Sequence, residues 1–181
     1  MATPTTLPAT FTAGQVLTAA QMNALRGAFR ILQVVTTNKT DTFTTTSSTF
    51  VDVTSLSVSI TPSSATSKIF VLATVNGNGK VATNGMQGRL MRDSTAIAVG
   101  DAAGSRTQAS FGSLEGSTSE QFTQSIMFLD SPATTSSTTY KIQVRSNASG
   151  QLVTVNRSFD DADGVAWSRN ISTITVMEIS A

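Results

Sequence analysis

Short runs in which every second residue is apolar, each closed by Gly, Pro, Asn or Ser, fill this chain from residue 33 onward. Period-two alternation belongs to a half-buried β-strand, whereas a helix needs apolar residues three and four apart. LSVSI at 56–60 alternates strictly and puts Leu56, Val58 and Ile60 on one face, with Phe50, Val51 and Val53 leading into it. In ISTITVMEI at 171–179, Ile171, Thr173, Thr175, Met177 and Ile179 share one face; Ser172, Ile174, Val176 and Glu178 share the other. KIFVLATV at 68–75 is a continuous apolar run, which predicts a central strand buried on both faces. NGNG at 76–79 predicts the turn that ends it. Further strands are expected at 89–92 and 96–99, joined by a hairpin turn at Asp93 and Ser94, and at 122–129, 139–144 and 152–155. About nine or ten short strands with turn signals between them predict an all-β fold, an antiparallel β-sandwich of the jelly-roll kind. No repeat of 20–50 residues argues for a solenoid. The stretches 100–116 and 160–170 are expected to be long loops, where such scaffolds carry function.

Residues 1–32 read differently. The first fourteen are rich in Pro, Thr and Ala and predict an extended tail. Residues 15–32 predict a short α-helix, with Thr18 and Gln21 as a capping box and Leu17 and Met22 at the spacing of a hydrophobic staple. Met22, Leu25, Phe29 and Leu32 then recur at intervals of three and four, the seam of a two-heptad coiled coil. Such a seam suits either a helix lying on its own domain or a self-associating stalk. Two heptads cannot hold chains together unaided. The expected division is therefore 1–32 as tail plus helix and 33–181 as the β-domain, which would supply most of any trimer interface.

Composition removes whole classes of function. Charged residues are 13% of the chain and the net charge is +1, so neither nucleic acid nor an anionic membrane is an expected partner. No apolar run approaches the roughly 20 residues that cross a bilayer, so membrane insertion is not expected. The N-terminus lacks the basic and apolar segments of a signal peptide, which predicts synthesis in a cytoplasm and release by a route such as lysis. Ser and Thr supply 54 of the 181 residues, a composition suited to uncharged β-surfaces and turns. There is no Cys and no His. Disulfides, thiolate ligands, the commonest general base and the commonest transition-metal ligand are thereby missing together.

The remaining chemistry is thin. Asp160, Asp161, Asp163 and Gly164 invite a calcium reading, but the stretch lacks the closing Glu of the helix-flanked pattern. A solvated loop is the plainer use. GDAAGSR at 100–106 lacks the Gly-Lys pair of a phosphate loop. Glycan cleavage needs two facing carboxylates, and no spacing links Glu115, Glu120, Asp130 and Asp160. A Ser nucleophile would have neither a His base nor a G-x-S-x-G elbow. No enzyme, cofactor or metal is expected. Trp167, in GVAWSR beside Arg169, suits contact with a host glycan or protein, and Tyr140 could also stack on a sugar. Packing on the core or on a neighbouring subunit is the other use of such rings. The sequons at Asn38, Asn147, Asn156 and Asn170 follow from the Ser/Thr content. Arg89, Arg92, Arg106, Arg145, Arg157 and Arg169 suit subunit contacts or a solvated rim.

FTAGQVLTAAQMNAL at 11–25 resembles the opening of many tail-associated proteins of phages and prophages. TFTTTSSTFVDVTSL at 42–56, ITPSSATSKI at 60–69, FLDSP at 128–132 and STITVME at 172–178 resemble a module of marine and cyanobacterial phage fibres. The resemblance spans about residues 11–178. It implies a virion structural protein, assembled in the host cytoplasm and usually trimeric, that decorates the particle or contacts the host. With little shaft, the expectation is a short fibre or knob. It would be held to other virion proteins through residues 1–32, with Leu17, Met22, Leu25, Phe29 and Leu32 in the attachment helix and Trp167 and Arg169 in the receptor-contact loop. The alternatives are a capsid decoration or cement protein and, from another class, a carbohydrate-binding module.

Overall fold

The computed structural model describes residues 14, 16, 18, 19, 30–79, 85–113 and 120–180. Among these described residues eleven strands follow in order: β1 (Ile31–Lys39), β2 (Phe43–Thr45), β3 (Val51–Ile60), β4 (Lys68–Gly79), β5 (Met86–Arg92), β6 (Thr95–Ile97), β7 (Phe111–Ser113), β8 (Phe122–Asp130), β9 (Thr138–Ser146), β10 (Val153–Val155) and β11 (Ser172–Ile179). They form two antiparallel sheets. The first runs β1-β11-β4-β10-β2, with β8 on the other side of β4; the second runs β3-β9-β5-β6, with β7 also on β5. The fold is all-β, as expected.

The alternation seen in the sequence is what builds the core. Leu56, Val58 and Ile60 of β3 point inward from one sheet, and Val71, Ala73 and Val75 of β4, with Ile174 and Val176 of β11, from the other. They meet Leu90, Ile142 and Val144 in one apolar cluster between the sheets. Each of these Val, Leu and Ile side chains contributes about 1.5–3 kcal/mol by leaving water. In β3 the inward phase changes between Val53 and Leu56, and the register with β9 slips between Asp52 and Ser57. Ser55, at φ +62°, sits in this bulge. The extra residues let Val53 and Leu56 both face the core.

Four expectations are corrected. The segment 76–79 is strand: Asn76 and Gly77 pair with β8, and Gly77, Asn78 and Gly79 pair with β10. Glycine is required at 77 for packing, because a Cβ there would lie 2.6 Å from the Thr154 carbonyl oxygen and 2.8 Å from Met86 Cε. Strand β4 is central, but only one of its faces is fully buried; Phe70, Leu72 and Thr74 on the other are half-exposed. The loop expected at 100–116 contains β7, whose Phe111 ring fills the space over Gly88. Leu32 belongs to β1, so the helix expected over 15–32 does not include its end. Of the rest of that segment, Thr18 lies outside and Ala19 inside a helical turn, while Leu17, Met22, Leu25 and Phe29 fall outside the described residues. The hairpin at Asp93 and Ser94 is present. Asp93 tethers it to β9, its N–H donating to the Thr139 carbonyl at 2.7 Å and its carboxylate accepting from the Thr139 N–H at 2.9 Å.

Two poles result. Strand β1 begins at Ile31, opposite Ile179, and ends at Lys39, opposite Ser172. Nine residues at about 3.3 Å each separate these ends by roughly 26 Å. Residues 1–29 lead into the first pole.

Candidate functional site

The loop carrying Trp167 and Arg169 stands at the second pole. Strand β10 ends at Val155, and Asn156, fully buried at φ +61°, turns the chain out of the sheet. Its N–H donates to the Asn76 carbonyl at 2.8 Å. Its side-chain Nδ2 donates to the carbonyls of Lys39 at 2.7 Å and Asp41 at 3.0 Å, and its Oδ1 accepts from Ser172 Oγ at 2.6 Å. The loop closes where Asn170 N–H donates to the Asn156 carbonyl at 3.2 Å and Arg157 bridges Arg169. One asparagine thus joins the ends of β1, β10 and β11 to Asn76 within β4. A short polar side chain that tolerates positive φ is the residue type this needs.

Within the loop, Asp161 is shared by two guanidinium groups. Arg157 Nη1 donates to its Oδ2 at 2.9 Å, and Arg169 Nη1 donates to its Oδ1. Both oxygens are engaged, so Asp161 is a poor ligand for calcium and a poor general base. Among the described residues no group of three or more carboxylates is arranged to hold a metal ion. Trp167 is half-buried, with its ring against Gly164; a Cβ on that glycine would lie 2.9 Å from Cζ3. Its Nε1 is shielded from solvent and has no hydrogen-bond partner. Gln121 Nε2 ties the loop to the body by donating to the Ser168 carbonyl at 2.9 Å.

The sequence-predicted pair is therefore brought together, with different parts to play. Arg169 keeps an exposed side chain between two depressions. One, of about 290 Å³, lies among Asp161, Asp163, Gly164, Trp167 and Ser168. The other, of about 580 Å³, is lined by Thr40, Asn76, Asn170 and Ile171. Trp167 is partly covered by its own loop at Gly164, so it offers a sugar less stacking area than a free indole would. The arrangement can donate hydrogen bonds and supply one exposed cation; it holds no assembled acid–base pair.

The other carboxylates considered for glycan cleavage are scattered. Asp130, at the first pole, accepts from Arg92 Nη1 at 2.8 Å and from Tyr140 Oη at 2.7 Å. Burial, and then this hydrogen bond to the carboxylate, push the Tyr140 phenol far above its usual 10.0. Tyr140 is fully buried and cannot meet a sugar. Glu120 is exposed, Asp160 is exposed in the second-pole loop, and Glu115 lies outside the described residues.

Sequence reasoning missed Glu178. It sits on the inward face of β11, fully buried, at the first pole. Ser63 donates to its Oε1 from the backbone N at 2.7 Å and from Oγ at 2.6 Å, and Gln33 Nε2 donates to Oε2 at 2.6 Å. Burial acts to raise its pKa, but these donors and Ser67 outweigh it and bring it to about 2. The signal was present: the alternation of 171–179 puts Glu178 in phase with Ile174 and Val176.

The outer faces of the two sheets contrast. On the second sheet Lys141 Nζ donates to Asp52 at 2.7 Å, Gln143 bridges Asp52 and Arg89, and the Arg89 guanidinium lies 4.2 Å over the Phe50 ring. Arg89, one of the arginines expected at subunit contacts or on a solvated rim, makes these contacts within the chain. On the first sheet the outward positions of β1, β11, β4 and β8 are mostly apolar or hydroxylic, with Asn38, Lys68 and Asn76 toward the strand ends. Register aligns Val34, Met177, Phe70 and Leu129 in one row, and Thr36, Thr175, Leu72 and Met127 in the next. Met127 is 72% exposed, Val34 55% and Leu129 53%.

No model of a known protein family matches the chain, and no curated protein matches it. Among solved structures it is similar to the D431N mutant VP2 protein of infectious bursal disease virus, from derived T=1 particles, with a TM-score of 0.38 and 12% identity. The match covers 81% of this chain and 39% of that one, and at this level the likeness does not carry that protein's role over to this chain.

Proposed function

We propose that the chain is a non-enzymatic structural protein of a bacteriophage particle: a homotrimeric short fibre or knob. It is held to other virion proteins through residues 1–32 and contacts the host surface with its far end. The observation that carries this is the two-pole layout. The segment resembling phage tail proteins enters at the start of β1, and the loop with Arg169 is clamped by Asn156 roughly 26 Å away. An attachment protein needs those two functions at opposite ends. The strand order agrees: β1-β11-β4-β8 facing β3-β9-β5-β7, with the chain crossing between sheets, is the wiring we read as a jelly roll. Loops at the second pole are then free to meet a glycan or protein by hydrogen bonding and the exposed Arg169 cation, without turnover. The carbohydrate-module reading is weaker, because the Trp167 ring is spent on Gly164.

The test is electron microscopy of purified phage particles carrying the chain, labelled with antibody against the β-domain. Label at the tail or its fibres is the expected result. Label spread over the head would replace the fibre by a capsid decoration protein, and particles without label would end the virion reading.

A further inference from the structure

We infer that the outer face of the first sheet, over β1, β11, β4 and β8, is the surface on which copies of this chain pack against one another. The inference rests on the trimeric reading above and says where its interface lies.

The face has the chemistry of a buried surface left in water. Val34, Met177, Phe70 and Leu129 make an unbroken apolar row across all four strands, with Leu72 and Met127 beside it. At the exposures of Met127, Val34 and Leu129, with their half-exposed neighbours, roughly 500 Å² of apolar surface is open. That is at the upper end of what a monomer's largest patch shows.

Three observations point to a second copy as the occupant. The first is charge. Among outward positions of these strands only Lys68, at the rim and donating to Ser131 Oγ, is ionisable. Copies can therefore meet without like-charge repulsion, whereas the other sheet would bring Arg89, Lys141 and Arg145 against themselves. The second is size. Four strands about 4.8 Å apart and nine residues long make a face of roughly 20 by 30 Å, comparable to the ~800 Å² one partner gives a standard interface. The third is continuity. The 29 residues before Arg30 join this sheet at β1, whose first residue, Ile31, is exposed and pairs with Ile179 on this same face. The short apolar spacing read from the sequence at Met22, Leu25 and Phe29 could not hold copies together unaided, and this face would hold them. Outward hydroxyl pairs at Thr36 with Thr175 (2.8 Å) and Thr74 with Thr173 (2.9 Å) continue the face toward the second pole without charge.

The experiment measures the solution mass of the full chain by light scattering after gel filtration, alongside Met127→Glu and Leu129→Glu. The expected masses are three times 18.9 kDa for the parent and 18.9 kDa for the variants. Circular dichroism should be unchanged, because both side chains are more than half exposed. A charge placed in the centre of such a contact should raise its dissociation constant on the order of 100-fold or more. Because the chain lacks cysteine, Met127→Cys gives an independent readout by maleimide labelling. Labelling should slow at least ten-fold on going from a dilute to a trimeric sample. A parent that is monomeric at micromolar concentration overturns the proposal. So does protection of Cys at 127 that is independent of concentration, which would place the chain's own N-terminal segment on the face. A trimer that survives both glutamates overturns this face while leaving the virion reading intact. Unlabelled particles in the microscopy fail that reading without altering the masses.

Discussion

Replacing Asn156 by Asp tests whether the second pole is held by one amide. The two side chains have nearly the same shape, and both tolerate the positive φ of this position. The change is confined to hydrogen bonding: the Nδ2 donor to the Lys39 and Asp41 carbonyls becomes an oxygen facing two oxygens. Losing one buried and one partly exposed donor costs about 1–3 kcal/mol and about 1 kcal/mol respectively. A carboxylate cannot stay ionised there without opposing both carbonyl dipoles. About 3 kcal/mol at neutral pH is the expected loss, which for a chain of this size lowers Tm by roughly 6–12 °C. The new carboxyl has its folded pKa raised, so the folded state binds the extra proton. The deficit therefore shrinks as pH falls toward 4.5 and grows as it rises to 7.5. Calorimetry of parent and variant at equal concentration and at both pH values is the assay, with concentration fixed because association shifts Tm. A Tm within about 2 °C of the parent, or a deficit independent of pH, refutes the role given to this amide.

Two further titrations follow. Tyr140 is the only tyrosine, so absorbance near 295 nm reports it alone. Burial and the Asp130 carboxylate keep the phenol protonated well above 10.0, so phenolate should appear only together with unfolding. Its contribution to stability is complete below pH 10 and is lost as pH rises beyond that; a free titration near 10 in folded protein contradicts the Tyr140–Asp130 contact. Glu178 runs the other way. With its folded pKa near 2 against an ordinary 4.5, its contribution is present above pH 4.5 and disappears as pH falls toward 2. Glu178→Gln should flatten that acid limb in urea melts at pH 2.5–5; an unchanged limb assigns the acid sensitivity elsewhere.

The strands readable in advance were those whose pattern records burial on one side. Segments 122–129, 139–144 and 171–179 become strands close to their expected limits, and 56–60 becomes the second half of β3, which takes in the leading Val51 and Val53. Asn76 to Gly79 misled because Asn and Gly favour turns locally, while the reason for glycine at 77 is a contact with Thr154 and Met86, distant in sequence. Strands β2 and β7 have three residues each, too few to show a period. Trp167 and Arg169 were found as a pair from their neighbourhood in the loop. Their clamp was not, since the partners of Asn156 lie up to 117 residues away. The apolar outer face was hidden for another reason. Phe70, Leu72, Met177 and Ile179 look like core residues in a sequence, and only the register across four strands shows that they share the side turned away from it.

Strand β1 has β11 as its sheet neighbour, more than 130 residues later in the chain. Closing a loop of that length costs roughly 4 kcal/mol of chain entropy before the first of these pairs is rewarded. Until Ile179 has left the ribosome, β1 has no neighbour in its sheet and one edge of β4 is bare along most of its length. The domain should therefore fold after synthesis and slowly, through long-range pairing. During that interval its apolar strands are open to aggregation, and host chaperones and expression temperature should govern yield more than the stability of the finished fold. Association of copies can begin only with chains translated through β11, so neighbours on one polysome cannot start it while still nascent.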